Sequence, residues 1–213
     1  MNQPILYGRV IEMRYRKLLS KFVSVFLVAL LLESGFLWPP VSNVQAATEG
    51  DYEYFEIVDD NTVRISRYTG TDTEVIIPDQ LGGMDVVEIS GSAFRVETET
   101  SPVLTSVTIP NTVKRIGYAA FANNQLTELH LPDSVTEIGE RAFAENALTS
   151  VNLPDSVMEI GDYAFMYNKL TSVSLPNTLT TISMGAFQNN EIETLTIPDS
   201  VTTIAWNAFY DKT

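Results

Sequence analysis

The chain has 213 residues, one histidine, no cysteine and a formal net charge of −14 at pH 7, from 13 Lys and Arg against 27 Asp and Glu. Without cysteine an exported chain has neither disulfides nor thiol chemistry, and a catalytic triad would have to be built on a single imidazole. The strong negative charge repels polyanions and therefore argues against nucleic acids and anionic lipid surfaces as partners.

Residues 1–46 have the features of a secretory signal peptide. Basic residues precede the apolar run Phe22–Leu32, and Val44-Gln45-Ala46 places small residues before a predicted cleavage site between Ala46 and Ala47. The run is short for a membrane span, but Phe36–Trp38 extends the apolar stretch and leaves a retained anchor as the alternative. Cleavage would leave 8 Lys and Arg against 25 Asp and Glu, a net charge of −17, on a mature chain without a membrane span. We therefore expect the protein to be secreted or displayed at the cell surface.

Residues 47–103 are predicted to form an N-terminal cap and a degenerate first repeat. Tyr54–Val58 and Thr62–Ser66 are strand-like and flank Asp59-Asp60-Asn61, a combination typical of a β-hairpin. Val75–Phe94 has the landmarks of the repeats that follow, at a different spacing. The polar residues 95–103 are expected to form a surface loop.

Residues 104–213 contain five copies of one 22-residue repeat, each reading approximately L-T-x-V-x-L-P-[DN]-[ST]-V-x-x-I-G-x-x-A-F-x-x-N-x. The copies start at Leu104, Leu126, Leu148, Leu170 and Ile192. A fixed period of this length predicts a β-rich solenoid of the leucine-rich-repeat type.

The pattern within one copy predicts its local structure. Val173 and Leu175 alternate with polar residues, as in a strand with one face inward, and Pro176 ends that strand because it has no N–H to donate. Leu179 and Ile182 predict a second short strand or extended arm, and the closing Ala-Phe pair a brief helical or 3₁₀ turn that fills the coil centre. One coil cannot cover its own apolar side chains, so neighbouring coils must stack on it.

The segment L-T-S-V-S-L-P-N-T-L-T-T-I-S-M-G-A-F (170–187) and its copies resemble the BspA-type leucine-rich repeats of bacterial surface and secreted proteins. The block I-G-x-x-A-F, which recurs in register at 116–121, 138–143 and 160–165, makes the resemblance specific, and 104–213 carries it strongly. The resemblance implies a role in adhesion to, or recognition of, host or matrix proteins or other cells.

Two positions depart from the family pattern. The glycine of the I-G block is Ser183 and Ala205 in the last two copies, which predicts close packing at this position rather than an obligatory positive φ. Asparagine stands where the family often has cysteine, and we expect it to satisfy turn backbone from coil to coil. These asparagines are Asn124, Asn146, Asn168 and Asn190.

The polar residues on the water side of the first strand of each coil form a predicted ligand-binding surface, the first-strand face. Its two columns are Ser106, Glu128, Ser150, Ser172 and Thr194, and Thr108, His130, Asn152, Ser174 and Thr196. Strands about 4.8 Å apart would give a ladder roughly 20 Å across. His130 is one member of this surface rather than a catalytic base with a partner. The alternative is an ordinary solvated face without a ligand.

Acidic residues recur at the turn after each first strand, at Asp133, Asp155 and Asp199. A calcium-binding solenoid would need glycine-rich repeats with oxygen ligands from adjacent turns. Here Asn111 and Asn177 occupy the same position, so we interpret the column as turn-forming residues and expect neither metal nor cofactor.

The sequence therefore predicts a non-enzymatic secreted or cell-surface protein that binds a protein or glycan through the first-strand face. The alternative is a structural spacer, or the N-terminal repeat region of a larger surface protein or exoenzyme. Thr213 ends a full repeat without a polar cap. We therefore expect the terminal coil to expose an apolar face, to self-associate, or to continue in a longer product.

Overall fold

The computed structural model describes residues 46–57, 60–98 and 101–211, which lie in one structural unit, Asn43–Thr213. They form a β-solenoid of about six coils, each marked by one phenylalanine of a central stack, and the described residues contain no helix. The solenoid fold with an N-terminal hairpin is confirmed. The predicted signal peptide lies, apart from Ala46, outside the described residues.

The strands are short because each side of a coil is only a few residues long. The hairpin region contains β1 (Ala46–Glu49), β2 (Tyr52–Ile57) and β3 (Thr62–Tyr68). The first coils contain β4 (Glu74–Ile76), β5 (Gln80–Leu81), β6 (Met84–Ile89), β7 (Ser106–Thr108) and β8 (Arg115–Ile116). The later coils contain β9 (Glu137–Ile138), β10 (Glu159–Ile160), β11 (Ser172–Ser174), β12 (Thr181–Ile182), β13 (Thr194–Thr196) and β14 (Thr203–Ile204).

The N-terminal end of the solenoid is covered by antiparallel strands. β2 pairs with β3 as the sequence predicts, and β1 adds a further strand beyond β2. β3 then pairs in parallel with β6, so the hairpin passes directly into the stack. Tyr52 and Tyr68 lie over the first ring of the core, with Tyr68 and Phe94 stacked at 5.3 Å. The cap therefore closes the apolar interior at this end.

Two sides of the solenoid are built from parallel strands. On one side β4 pairs with β7 and β11 with β13, while bridges join His130 to Asn152 and Asn152 to Ser174. The predicted first strand is thus reduced to single bridges in two of the coils. On the other side β6, β8, β9 and β10 follow one another, and β12 pairs with β14.

The Ala-Phe segment forms a turn whose N–H groups alternate between two acceptors. Ala120 and Ala122 donate to carbonyls three residues earlier, at 3.3 and 3.1 Å, as in a 3₁₀ turn. Ala119 and Phe121 donate instead to carbonyls of the next coil, both at 2.8 Å. Since every second donor is used between coils, the turn does not continue into a helix.

The core consists of inward columns that stack from coil to coil. The phenylalanine rings lie 5.0 to 5.5 Å apart and within 17° of parallel. They are Phe94, Phe121, Phe143, Phe165, Phe187 and Phe209. Burying several such rings in one column removes a large apolar area from water, which is the main force that holds the coils together.

The prediction about the I-G glycine is confirmed. Gly117, Gly139 and Gly161 do not have positive φ. A Cβ added at Gly161 would lie 2.4 Å from the backbone N of Glu140 in the preceding coil. The glycines therefore permit close approach of successive backbones.

The asparagine column also acts as predicted. Nδ2 of Asn146 donates to the carbonyls of Phe121 in the preceding coil and Phe143 in its own, at 2.9 and 3.2 Å. Its Oδ1 accepts from the N–H of Leu126 at 3.1 Å. The same contacts recur at Asn124, Asn168 and Asn190. Each amide thus satisfies buried backbone groups and links two coils.

Candidate functional site

All ten residues of the first-strand face are solvent-exposed. The alternation follows from strand geometry, since the intervening Val107 and Val173 point inward and are buried. Parallel pairing keeps the columns in register: Ser172 lies beside Thr194, and Ser174 beside Thr196. Bridges from His130 to Asn152 and from Asn152 to Ser174 extend the same register, so the second column is aligned from His130 to Thr196.

The surface extends one coil further than the repeat count indicates. β4 pairs with β7 so that Glu74 continues the Ser106 column and Ile76 continues the Thr108 column. The sequence Val75–Pro78 in the degenerate repeat matches the first strand and proline of the later repeats, and it could have predicted this extension. Ile76 is 77% exposed, so the polar surface begins at an apolar side chain.

A third column of hydroxyl groups, not included in the prediction, borders the first-strand face. Threonine directly precedes the first strand in four coils, and its side chain is exposed in each. These residues are Thr105, Thr127, Thr149 and Thr171. The threonine of the repeat's L-T dipeptide could have predicted this column. Its hydroxyl groups add further hydrogen-bond donors and acceptors to the surface.

The chemistry of the first-strand face is that of hydrogen bonding. Hydroxyl and amide side chains dominate it, and its two columns contain one acidic side chain, Glu128, and one imidazole, His130. Hydroxyl groups both donate and accept, so they can match the backbone of an extended peptide or the hydroxyls of a glycan.

A shallow depression of about 420 Å³ lies in this surface between the last two coils. Its polar margin is formed by Ser172, Ser174, Asn177, Thr194 and Thr196, and Pro198 also contributes. The depression is open to solvent, which suits contact with part of a larger ligand better than enclosure of a small one.

One of the turn acids, Asp155, has a structural contact. Oδ1 of Asp155 accepts a hydrogen bond from the N–H of Asn177 in the next coil at 3.3 Å, which is the behaviour of a turn-forming residue. Among the described residues no three His, Asp or Glu side chains are grouped so that they could hold a metal ion. The same residues contain no helix long and apolar enough to cross a membrane.

Two charge contacts join neighbouring coils, one between second strands and one between turns. Arg115 Nε lies 3.0 Å from Glu137 Oε1, because β8 and β9 place these residues side by side. The guanidinium of Arg141 lies 5.4 Å from the ring centre of Tyr163. Both contacts are partly solvated and contribute modestly to stability.

A family model for the BspA type leucine rich repeat region matches residues 87–213 in six copies. The chain belongs to the BspA-type leucine-rich repeat family. The match begins at residue 87, within β6, which pairs in parallel with β8 of the next coil, so it includes the end of the predicted degenerate repeat. The family is defined by its leucine-rich repeats, and in this chain the repeats stack as the coils of the solenoid. No curated protein matches the chain.

Solved structures of similar proteins show the same fold. A leucine rich cell surface protein of Faecalibacterium prausnitzii is 30% identical, with a TM-score of 0.60 over 79% of this chain and 52% of its own. The pneumococcal vaccine antigen PcpA is 26% identical, with a TM-score of 0.67 over 79% and 48%. A leucine rich repeat protein of T. pallidum is 26% identical, with a TM-score of 0.55 over 74% of this chain and 85% of its own. The chain spans about half the length of the first two structures.

Proposed function

We propose that this protein is a non-enzymatic adhesion module, secreted or displayed at the cell surface, which binds a protein or glycan through the first-strand face. The observation that carries the proposal is the row of exposed hydroxyl and amide side chains, which strand pairing holds in register between β4 and β7 and bridges and pairing hold in register from His130 to β13. The similar protein of F. prausnitzii is a cell surface protein, which supports the same location for this chain.

The shape of the ladder favours an extended ligand. Its side chains repeat at the strand spacing of about 4.8 Å, and each contributes a small hydrogen-bonding group rather than a deep pocket. Binding energy would then come from many modest contacts along several coils. The mature chain has a net charge of −17 and repels anionic partners. The ligand is therefore expected to be neutral or basic.

The test is binding of the exported chain to arrays of extracellular matrix proteins, cell-wall fractions and glycans. Thr108, His130, Asn152 and Ser174 are changed together to alanine, and we expect retention to fall tenfold or more, a loss of about 1.4 kcal/mol. The matched control changes four exposed residues outside the face, Glu159, Thr180, Thr181 and Thr203. Equal retention by both variants and by the unchanged chain would mean that the ligand contacts another surface.

A second candidate function is that of a structural spacer within a larger surface protein or exoenzyme. It is favoured by the similar structures, of which the chain covers 52% and 48% of the length. A spacer predicts no affinity for any component of the arrays, whereas an adhesion module predicts at least one ligand that the four-residue variant loses.

The signal-peptide features of residues 1–46 are the basis for proposing that the protein is exported. The amino terminus of the protein recovered from the culture medium or cell surface is expected at Ala47, which Edman sequencing would show. Recovery from the cytoplasm with an intact N-terminus would contradict export. An intact N-terminus on membrane-bound protein would instead support a retained anchor.

A further inference from the structure

The first-strand side of the solenoid differs from its other sides in charge. In each coil this side runs from the residue before the first strand to the residue after the proline. It comprises 73–79, 105–111, 127–133, 149–155, 171–177 and 193–199. None of these residues is Lys or Arg, and seven are acids with exposed side chains. The acids are Glu74, Asp79, Glu128, Asp133, Asp155, Glu193 and Asp199.

The positive charges lie on other parts of the molecule. Arg115 begins β8, directly after Lys114, and Arg141 lies in the Ala-Phe turn of its coil. The other basic residues in the part of the chain that the structure describes are Arg64, Arg67, Arg95 and Lys169. Arg115 pairs with Glu137 and Arg141 with Glu140, both outside the first-strand side. Within the described residues, the seven acids of the first-strand side therefore have no ion-pair partner.

These acids share one surface with the hydroxyl and amide rows. Glu74 and Glu128 stand in the Ser106 column, and Asp133 and Asp155 stand at the turn that follows the strand. Carboxylate, hydroxyl and amide oxygens all accept hydrogen bonds, whereas the ammonium of lysine and the guanidinium of arginine only donate them. A cationic side chain laid across the first-strand side therefore contacts both carboxylates and neutral acceptors.

The depression of about 420 Å³ in this surface has a carboxylate at its margin. Asn177, which lines the depression, donates its backbone N–H to Oδ1 of Asp155 at 3.3 Å. Ser172 and Ser174 line the same depression with hydroxyl groups. A carboxylate beside hydroxyl acceptors suits one long cationic side chain of a larger ligand, because charge-assisted hydrogen bonds are the stronger ones.

We propose that the ligand of the first-strand face is an extended polypeptide segment rich in lysine and arginine. This inference rests on the proposed adhesion function and names the chemical class of its ligand. An extended segment places alternate side chains on one side, so successive cations reach the carboxylates while the backbone lies near the hydroxyl rows. Polypeptides carry permanent cations on two common side chains, and the charge of this side therefore fits a protein better than a neutral glycan.

The charge of the first-strand side gives the interaction a defined salt dependence. The acids are solvent-exposed, so added salt screens their attraction for a basic segment and weakens binding. The same acids repel an acidic segment. Selectivity therefore lies in the sign of the ligand's charge, whereas the hydroxyl rows bind the backbone of either segment.

The test is binding of the exported chain to three peptides of equal length, which alternate serine with lysine, glutamine or glutamate. Fluorescence anisotropy at low and high salt measures the affinities. We expect the lysine peptide to bind most tightly and to weaken in high salt. Glu128→Gln, Asp133→Asn and Asp155→Asn, introduced together, are expected to lower its affinity about tenfold, since three exposed attractions are lost. The fold admits these changes, because Asn111 and Asn177 already occupy the position of Asp133 in other coils.

The matched control changes three exposed acids on other sides of the same two coils, Glu140, Glu145 and Glu159, to glutamine. Both variants lose the same charge, so any general attraction between an acidic protein and a basic peptide falls equally in the two. A loss of affinity confined to the first-strand variant supports the proposal. Three results would overturn it: no binding of the lysine peptide, equally tight binding of the glutamine peptide, or an equal loss in both variants.

Retention on the ligand arrays separates this inference from the adhesion function. The arrays are probed with the first-strand acid variant and with the four-residue alanine variant of the first-strand face. If only the alanine variant loses the array ligand, the adhesion function stands and the basic ligand is wrong. If both variants keep it, the ligand contacts another surface and both proposals fail. Loss in both variants is the result that we expect.

Discussion

At the scale of single residues, the turn has left-handed backbone at two positions in each of the four coils that start at Leu104, Leu126, Leu148 and Leu170. One column comprises Ala119, Arg141, Tyr163, Gly185 and Asn207, and the other comprises Asn123, Glu145, Tyr167 and Asn189. Their φ values lie between 49° and 60°. Left-handed backbone costs a residue with a side chain about 1–2 kcal/mol, so these turns are held by the stacking of coils rather than by local preference.

Glu145→Gly is predicted to stabilise the protein by about 1 kcal/mol, since it removes the left-handed strain at an exposed side chain with φ 57°. Gly185 shows that glycine fits the repeat at positive φ. Urea unfolding measures the change. Glu145→Gln, which removes the charge but not the strain, is the control and should be neutral. A loss of stability in the glycine variant would contradict the argument.

Gly161→Ala is predicted to destabilise the protein by about 1–3 kcal/mol, the usual range for overpacking. The new Cβ would lie 2.4 Å from the Glu140 backbone N, and the two coils must separate to admit it. Thermal unfolding measures the effect. Ala205→Gly is the matched control, because the last coil already accommodates a Cβ at this position. An unchanged midpoint for Gly161→Ala would show that coil spacing is not set here.

At the scale of elements, the asparagine ladder joins the turns across coils. In Asn168→Ala, the Leu148 N–H and the carbonyls of Phe143 and Phe165 lose their side-chain partner. Each buried group left unsatisfied costs about 1–3 kcal/mol. We therefore expect a clear fall in the urea midpoint, in contrast to Asn152→Ala on the exposed first-strand face. Equal midpoints for the two variants would exclude a structural role for the ladder.

The N-terminal cap, which contains Tyr52, Tyr54 and Tyr68, is predicted to lose stability at alkaline pH. Burial, with smaller effects of Tyr68, Asp51 and Asp72, raises the pKa of Tyr52 from 10.0 to about 12. Burial also raises the pKa of Tyr54 and Tyr68. Below pH 10 these phenols are neutral in both states, and stability is complete. Above it the unfolded chain ionises first, so stability falls as the pH approaches 12.

Tyrosine absorbance and circular dichroism, followed together from neutral to alkaline pH, test this expectation. Ionisation delayed beyond the ordinary tyrosine range should coincide with loss of the folded signal. Tyr52→Phe removes one of the shifted groups and should make the alkaline transition shallower. If all tyrosines titrated in the ordinary range without unfolding, the burial of the cap tyrosines would be contradicted.

At the scale of the whole molecule, stability is a sum along one dimension, because each coil contacts only its neighbours. Phe165→Ala is predicted to cost about 3–5 kcal/mol, since the ring is fully buried between Phe143 and Phe187, 5.5 Å from each. Phe209→Ala, in the coil of residues 192–211 where the ring has one stacked neighbour among the described residues, should cost less. Urea melts compare the two. A loss below about 1 kcal/mol at Phe165 would mean that its ring is not part of the stack.

Much of the fold and the candidate site was predictable because the repeat encodes both together. The alternation around Val173 determined which side chains point outward, and the fixed period placed them in columns. The same reasoning found the close approach at Gly161 and the bridging role of Asn146. It missed the left-handed positions, since Arg141, Tyr163 and Glu145 do not differ in type from residues of ordinary turns.

The solenoid, its period, its inward columns and the exposed polar ladder could all be predicted from the residues alone, because period and polarity are local properties repeated in every copy. The folded chain was needed to learn which backbone groups bond between coils, and how the strand of the degenerate repeat extends the first-strand face to Glu74 and Ile76. These features depend on what lies above and below each coil. These neighbours are present only when the coils stack, so the sequence of a single repeat does not specify them.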